Sequence, residues 1–247
     1  MTRKGDSDKR NMRDANTGLP DLESVMIKVS IGIGHNLTEA EEGLKVAKSR
    51  KDENRHYNIE LYRGESLPPP MEERNPVVDS FIRLEQKLRC ENLEDSISDL
   101  YMLKHDPKTG LLNRMGYEVE VQKLRQRHSY DNRVIILIDG DDMKRTNTRL
   151  GYELTDRYLE AIGHALKRQV RQASFTRDGM READVLVNRK NDSGGDEFII
   201  DIACDYRNAA SIAERYVHAM YALQSELSRK LTSAGGTGYL EAAMNNP

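Results

Sequence analysis

The first regular pattern along the chain is the alternation Val25-Met26-Ile27-Lys28-Val29-Ser30-Ile31-Gly32-Ile33, with an apolar side chain at every second place, which predicts a strand. Leu37, Ala40, Leu44 and Ala47 then step by three and four, and Thr38 with Glu41 reads as a capping box, so a helix is expected over about 37–51. Tyr57 to Tyr62 predicts a second, short strand that closes a small module over 24–62. Pro68-Pro69-Pro70 favours extended backbone, which makes 63–74 a linker, and the polar residues 1–23 read as a mobile arm. From 75 to 104, Val78, Phe81, Leu84, Leu88, Leu93, Ile97 and Leu100 mark a long helix, with one five-residue step interrupting the stripe near Cys90. Such a stripe either packs a helix on its own domain or zips two helices into a coiled coil.

Asp106-Pro107-Lys108-Thr109-Gly110 predicts a turn, followed by a helix to about 127. Arg133 to Ile138 is almost continuously apolar, as in a central strand covered on both faces, and it runs out on Asp139. Leu159, Ile162, Leu166 and Val170 share a helical face. Residues 184–187 and 198–203 read as strands on either side of Gly194-Gly195, and Ile212, Tyr216, Met220, Leu223, Leu227 and Leu231 give a last long helix before a short tail. The whole is an α/β chain in which 105–247 forms the core and its tail.

With 247 residues the chain can bury a core without staples. Its net charge of -3 and 32% charged residues do not mark it as a nucleic-acid or membrane-surface binder. Two cysteines, Cys90 and Cys204, give neither a disulfide framework nor a zinc pattern, and the N-terminus lacks an apolar targeting segment, so a reducing cytoplasm is expected.

Chemistry concentrates in two short segments. Asp139-Gly140-Asp141 ends the central strand, and Gly194-Gly195-Asp196-Glu197-Phe198 spans a hairpin. A carboxylate at a strand end, answered by an acidic pair on an adjacent hairpin, can hold two hard cations for an in-line displacement at phosphorus. Glycines there let the backbone approach a phosphate closely.

Taken in order, Asp106-Pro-Lys-Thr-Gly-Leu-Leu-Asn-Arg114, Ile138-Asp-Gly-Asp-Asp-Met-Lys-Arg-Thr-Asn147, Gly151, Asp156 and Ser-Gly-Gly-Asp-Glu-Phe198 resemble the GGDEF-type diguanylate cyclase domain over about 105–230. The resemblance implies a palm-like nucleotidyl-cyclase α/β fold, with a central, mostly antiparallel sheet flanked by helices and a long connecting helix. It implies joining of two GTP molecules into cyclic di-GMP under Mg2+, with Mn2+ as an alternative. Asp139, the Gly140 carbonyl and Glu197 would ligate the metals, and Asp196 with Glu197 would form the catalytic acidic pair. Gly194 and Gly195 would lie at the α-phosphate, Lys144 would reach the outer phosphates, and Asn147 and Asp156 would read guanine. Arg181 and Asp184 stand for the family's inhibitory product site, displaced from Gly194-Gly195 by an insertion taken as Arg189 to Ser193. Met143, Thr148, Tyr152 and Thr155 depart from the family pattern without removing a metal ligand.

The family's last strand and helix should follow the long C-terminal helix, but similar segments stand at the front, as Val29-Ser-Ile-Gly-Ile-Gly34 and Ala40-Glu-Glu-Gly-Leu-Lys-Val-Ala-Lys48. The order implies a circular permutation in which 25–62 completes the sheet, with Lys48 and Arg55 as the basic contacts to the triphosphate. Asp14-Ala-Asn-Thr-Gly-Leu-Pro20 repeats part of 106–111 and offers the alternative of a remnant tandem domain. An unbroken helix over 75–104 would run about 45 Å, against about 40 Å for the extended linker. Either that helix folds back near Cys90 or the N-terminal module complements a second subunit as a domain swap. A homodimer is expected, because two GTP half-sites must face each other. The rival reading is a non-catalytic GTP-binding or interaction module, and a third is a cyclase making another cyclic dinucleotide.

Overall fold

A computed structural model describes residues 27–50, 57–64, 75–126, 133–173, 185–189 and 195–233. The arm over 1–23, most of the linker, and the candidates Arg55, Arg181, Asp184 and Gly194 lie outside the described residues, as do Val25 and Met26 and the Asp14 to Pro20 repeat.

Strands β1 (Val29–Gly34), β2 (Tyr57–Leu61), β3 (Arg133–Gly140), β4 (Val185–Arg189) and β5 (Glu197–Ala203) form one five-stranded sheet in the order β2-β1-β3-β5-β4. Every neighbouring pair is antiparallel except β1 with β2. The strand with apolar residues on both faces takes the centre, for a physical reason: β3 is wholly buried because each face has its own cover. Val134, Ile136 and Ile138 join Phe198, Ile200 and Ile202 in the larger core. Helices α6 (Tyr152–Ala173) and α7 (Ala209–Ser233) close that side, through Tyr158, Ile162, Leu166, Tyr216 and Met220. Ile135 and Leu137 face the other way, onto Ala40 and Leu44 of helix α1 (Leu37–Ser49).

The N-terminal strand is part of this sheet in the same chain. β1 pairs with β3 from Val29 opposite Gly140 to Gly34 opposite Ile135, and all six of its residues are buried. Gly32 permits the tight overlay of α1, since a Cβ there would stand 2.0 Å from the Ala40 carbonyl oxygen. The cap of α1 differs from the Thr38–Glu41 expectation. Asn36 accepts the Glu39 N–H at 3.0 Å while the Glu39 carboxylate accepts the His35 N–H at 2.9 Å. The reciprocal logic is that of a capping box, set two residues earlier.

The expected single helix over 75–104 is two helices, α2 (Pro76–Cys90) and α3 (Glu94–Lys104). The five-residue step from Leu88 to Leu93 is the break itself. Leu93 N–H donates to Leu88 O at 3.1 Å and Asn92 N–H to Arg89 O at 3.3 Å, with Asn92 left-handed at φ 53°. That is a Schellman cap with asparagine in the position usually held by glycine. α2 then lies on α4 (Arg114–Gln126), burying Val78 and Ile82 against Val119. No unbroken helix runs over 75–104, so the reach argument for a swapped module does not apply, and Leu84 and Leu93 of the stripe remain exposed, at 45% and 44%. Among the described residues no helix is long and apolar enough to cross a membrane.

Candidate functional site

The antiparallel register sets Asp139 directly opposite Glu197, with Ser30 of β1 on the other side of Asp139. Cross-strand neighbours on one face have Cβ atoms only about 4.5–5.5 Å apart, so two carboxylates are forced together at the end of the sheet. Gly140 N–H donates to Asp196 O at 3.2 Å, which draws Asp196 into the same corner. A Cβ on Gly140 would come within 3.0 Å of the Asp196 carboxylate and 3.1 Å of the Met143 sulfur, so glycine leaves this corner open. Asp141 is buried beside it, its carboxylate accepting from Ser30 Oγ at 3.0 Å and its N–H donating to Lys28 O at 2.7 Å.

Lys48, at the end of α1, brings its ammonium to 2.7 Å from Asp139 Oδ1. The electrostatics follow from this crowding. Burial raises the Asp139 pKa, Lys48 opposes the rise, and Glu197 and Asp141 add to it. Asp196 is pushed up to about 6, first by burial and then by the charge of Asp139. A corner with this excess of negative charge is suited to a cation.

The donors fit magnesium in kind, being hard oxygens only: two strand-end carboxylates and the Gly140 carbonyl. Among the described residues no three Asp, Glu, His or Cys side chains converge on a single cation position. The protein would therefore supply part of a coordination shell, as is usual for magnesium, which keeps water and substrate phosphates.

The turn itself is held by a residue that sequence reasoning missed. Arg189, read from the sequence as the first residue of an insertion, ends β4 in register with Phe198. Its buried guanidinium donates to the Gly195 carbonyl from Nε at 2.9 Å and from Nη2 at 2.6 Å. Nη1 stands 3.5 Å from Asp106 Oδ2. An arginine closing the apolar run Val185 to Val187 was the available signal, because a buried guanidinium must find partners.

The remaining candidates lie along helix α5 (Met143–Leu150) and the start of α6. Lys144 is exposed, Asn147 is half-buried, and the Asn147 carbonyl accepts from Gly151 N–H at 2.8 Å. Gly151 is left-handed at φ 81°, which turns the chain between the two helices. Asp156 is half-exposed and accepts from Lys108 Nζ at 2.5 Å, a pairing absent from the sequence reading. Tyr152, one of the departures from the family pattern, is 79% exposed.

A family model described as diguanylate cyclase, GGDEF domain, matches residues 103–240, more than half of the chain. Diguanylate cyclase TpbB from two strains of Pseudomonas aeruginosa is 28% identical over 155 residues, covering 61% of this chain. The chain spans only 32% of the length of those curated relatives. The crystal structure of diguanylate cyclase SiaD in complex with its activator SiaC, also from Pseudomonas aeruginosa, is 22% identical at a TM-score of 0.37, covering 58% of this chain and 54% of that chain.

Proposed function

The chain belongs to the GGDEF family of diguanylate cyclase domains, and from that premise we propose that it condenses two GTP molecules into cyclic di-GMP. The observation that carries this reading is the placement of Asp139 opposite Glu197 at the sheet end, with Asp196 and Lys48 against them. In each of two steps a ribose 3′-oxygen forms a bond to an α-phosphorus, the bond from that phosphorus to the bridging oxygen breaks, and pyrophosphate leaves.

Asp139, Glu197 and the Gly140 carbonyl would hold Mg2+, or Mn2+ in its place. Bound there, a divalent ion offsets charge at the phosphates and makes a hydroxyl easier to deprotonate. The chain's own residues do the rest. Gly194 and Gly195 let the α-phosphate approach the backbone, and Arg189 keeps the Gly195 peptide oriented. Lys48 exchanges Asp139 for the triphosphate, and Lys144 adds a point charge at its outer end. Asp196 stands outside the proposed ligand set, beside Asp139 and Glu197, and accepts the proton of the attacking 3′-hydroxyl. The Asp156 carboxylate accepts from guanine N1–H and the exocyclic amine, with Asn147 beside it.

Each chain supplies one such half-site, so two chains face each other, and a homodimer is part of the proposal. The β1–β3 pairing also supports reading residues 29–49 as the family's closing strand and helix carried at the front of the chain. The test is to incubate the pure protein with GTP and Mg2+ and resolve the products by chromatography. Cyclic di-GMP with two pyrophosphates per product supports the reading. Calorimetric GTP binding without turnover selects instead the non-catalytic binding module, which the Lys48–Asp139 ion pair favours by engaging a metal donor. An adenine-containing product from mixed ATP and GTP selects the third reading.

A further inference from the structure

We propose that Lys108 is a guanine-specificity residue, donating to O6 of the base whose N1–H and exocyclic amine Asp156 accepts. This rests on the reading of Asp156 given above. Lys108 Nζ stands 2.5 Å from Asp156 Oδ2, although the two residues come from different elements: the turn before α4 and the first turns of α6.

That turn is rigid, which fixes the root of the lysine. Asp106 Oδ2 accepts from Thr109 N–H at 2.9 Å and from Thr109 Oγ1 at 2.6 Å, and Gly110 N–H donates to Asp106 O at 2.8 Å. The turn is also fastened to α6. Lys167 Nζ donates to the Gly110 carbonyl at 2.9 Å, and fully buried Thr109 packs against Gly163, where a Cβ would stand 2.5 Å from the threonine Cβ. The ion pair itself is exposed and contributes little to stability. Both side chains remain about half-exposed, at 51% and 48%, and are open to a ligand.

The pair matches one base edge. Guanine presents an acceptor, O6, next to two donors, N1–H and the amine, and an ammonium beside a carboxylate presents the complementary order. Adenine puts a donor, its 6-amine, where the ammonium would be and an acceptor, N1, where the carboxylate would be, so both halves mispair. A lysine carries three donors and can hold Asp156 with one while using another on O6.

The experiment is a two-by-two comparison of the full chain and Lys108→Met, each titrated calorimetrically in Mg2+ with GDP and 6-thio-GDP. The thio base keeps N1–H and the amine and weakens only the acceptor at position 6. The expected result is about fivefold or greater preference for GDP in the unsubstituted protein, removed by Lys108→Met through weaker GDP binding alone. Equal weakening of both ligands, or no change in either, overturns the O6 contact and leaves Lys108 a partner of Asp156 only. IDP, which lacks the amine, separates the two readings. Tighter binding of GDP than IDP upholds Asp156 whatever Lys108 does. Failure of the unsubstituted protein to bind GDP overturns the guanine site and this inference together.

Discussion

Lys48 Nζ lies 2.7 Å from Asp139 Oδ1, so a helix of the N-terminal module places its cation on the carboxylate that ends the central strand of the core. The ammonium lowers the cost of holding Asp139 charged beside Glu197 and Asp141, and burial works against it. Replacing Lys48 with methionine removes a charge-assisted contact that the account transfers to the triphosphate. We expect kcat/KM for GTP to fall about 10- to 100-fold, or roughly 1.4–3 kcal/mol, with the circular dichroism spectrum unchanged. Unchanged kinetics would show that Lys48 serves Asp139 alone.

The N-terminal module is expected to be indispensable to folding. β1 buries all six of its residues between β2 and β3, and its loss would leave a long apolar edge on β3. A chain starting at residue 75 should be insoluble or should unfold at markedly lower urea than the whole protein. Within the whole chain, Ile31→Ala, at a position with 0% exposure, should cost about 2–5 kcal/mol in urea unfolding. A stable, active chain from residue 75 would refute the structural role given to β1.

Arg189 ties the Gly195 carbonyl to Asp106, joining the start of β5 to the turn before α4. Arg189→Met leaves that carbonyl and the Asp106 carboxylate with fewer donors. A loss of about 1–3 kcal/mol in stability is expected, together with a fall in kcat larger than the change in KM. Equal activity of the variant, measured at a temperature where it is fully folded, would remove Arg189 from the positioning of the turn.

How much of this was legible in the sequence depends on the range of the interaction. The apolar run of β3 and the faces of α6 and α7 follow from periodicity, because burial on one or two sides writes itself into local spacing. The helix break was visible as the five-residue step from Leu88 to Leu93, but its meaning lay in a backbone cap with Asn92 at φ 53°. The acidic corner was legible as Asp139 and Glu197, since strand ends carry it. The partners of Arg189 and Lys108 were not, because contacts between distant turns leave no local pattern.

Glu85 supplies a pH test of the α2–α4 contact. Burial works to raise its pKa, but Lys123 at 2.7 Å, Arg89 and Lys104 prevail and hold it at about 2. Because the folded value lies below the ordinary 4.5, this carboxylate's stabilising contribution is complete above about pH 4.5 and is lost as pH falls toward 2. Glu85→Gln should therefore lower stability by about 1–3 kcal/mol at pH 7. The gap between variant and unsubstituted protein should close between pH 4.5 and 2 in urea titrations. A gap independent of pH would mean that Glu85 acts through packing rather than charge.

On the proposed reading, the corner formed by Asp139, Asp196 and Glu197 makes cyclic di-GMP. Glu197→Gln keeps the shape of the side chain and replaces one proposed anionic metal donor with a neutral amide, and the initial rate of cyclic di-GMP formation from GTP and Mg2+ is compared between the two proteins. Steady product is expected from the unsubstituted chain and a rate at least about 100-fold lower from Glu197→Gln. No product from well-folded unsubstituted protein, or equal rates from the two, would contradict it.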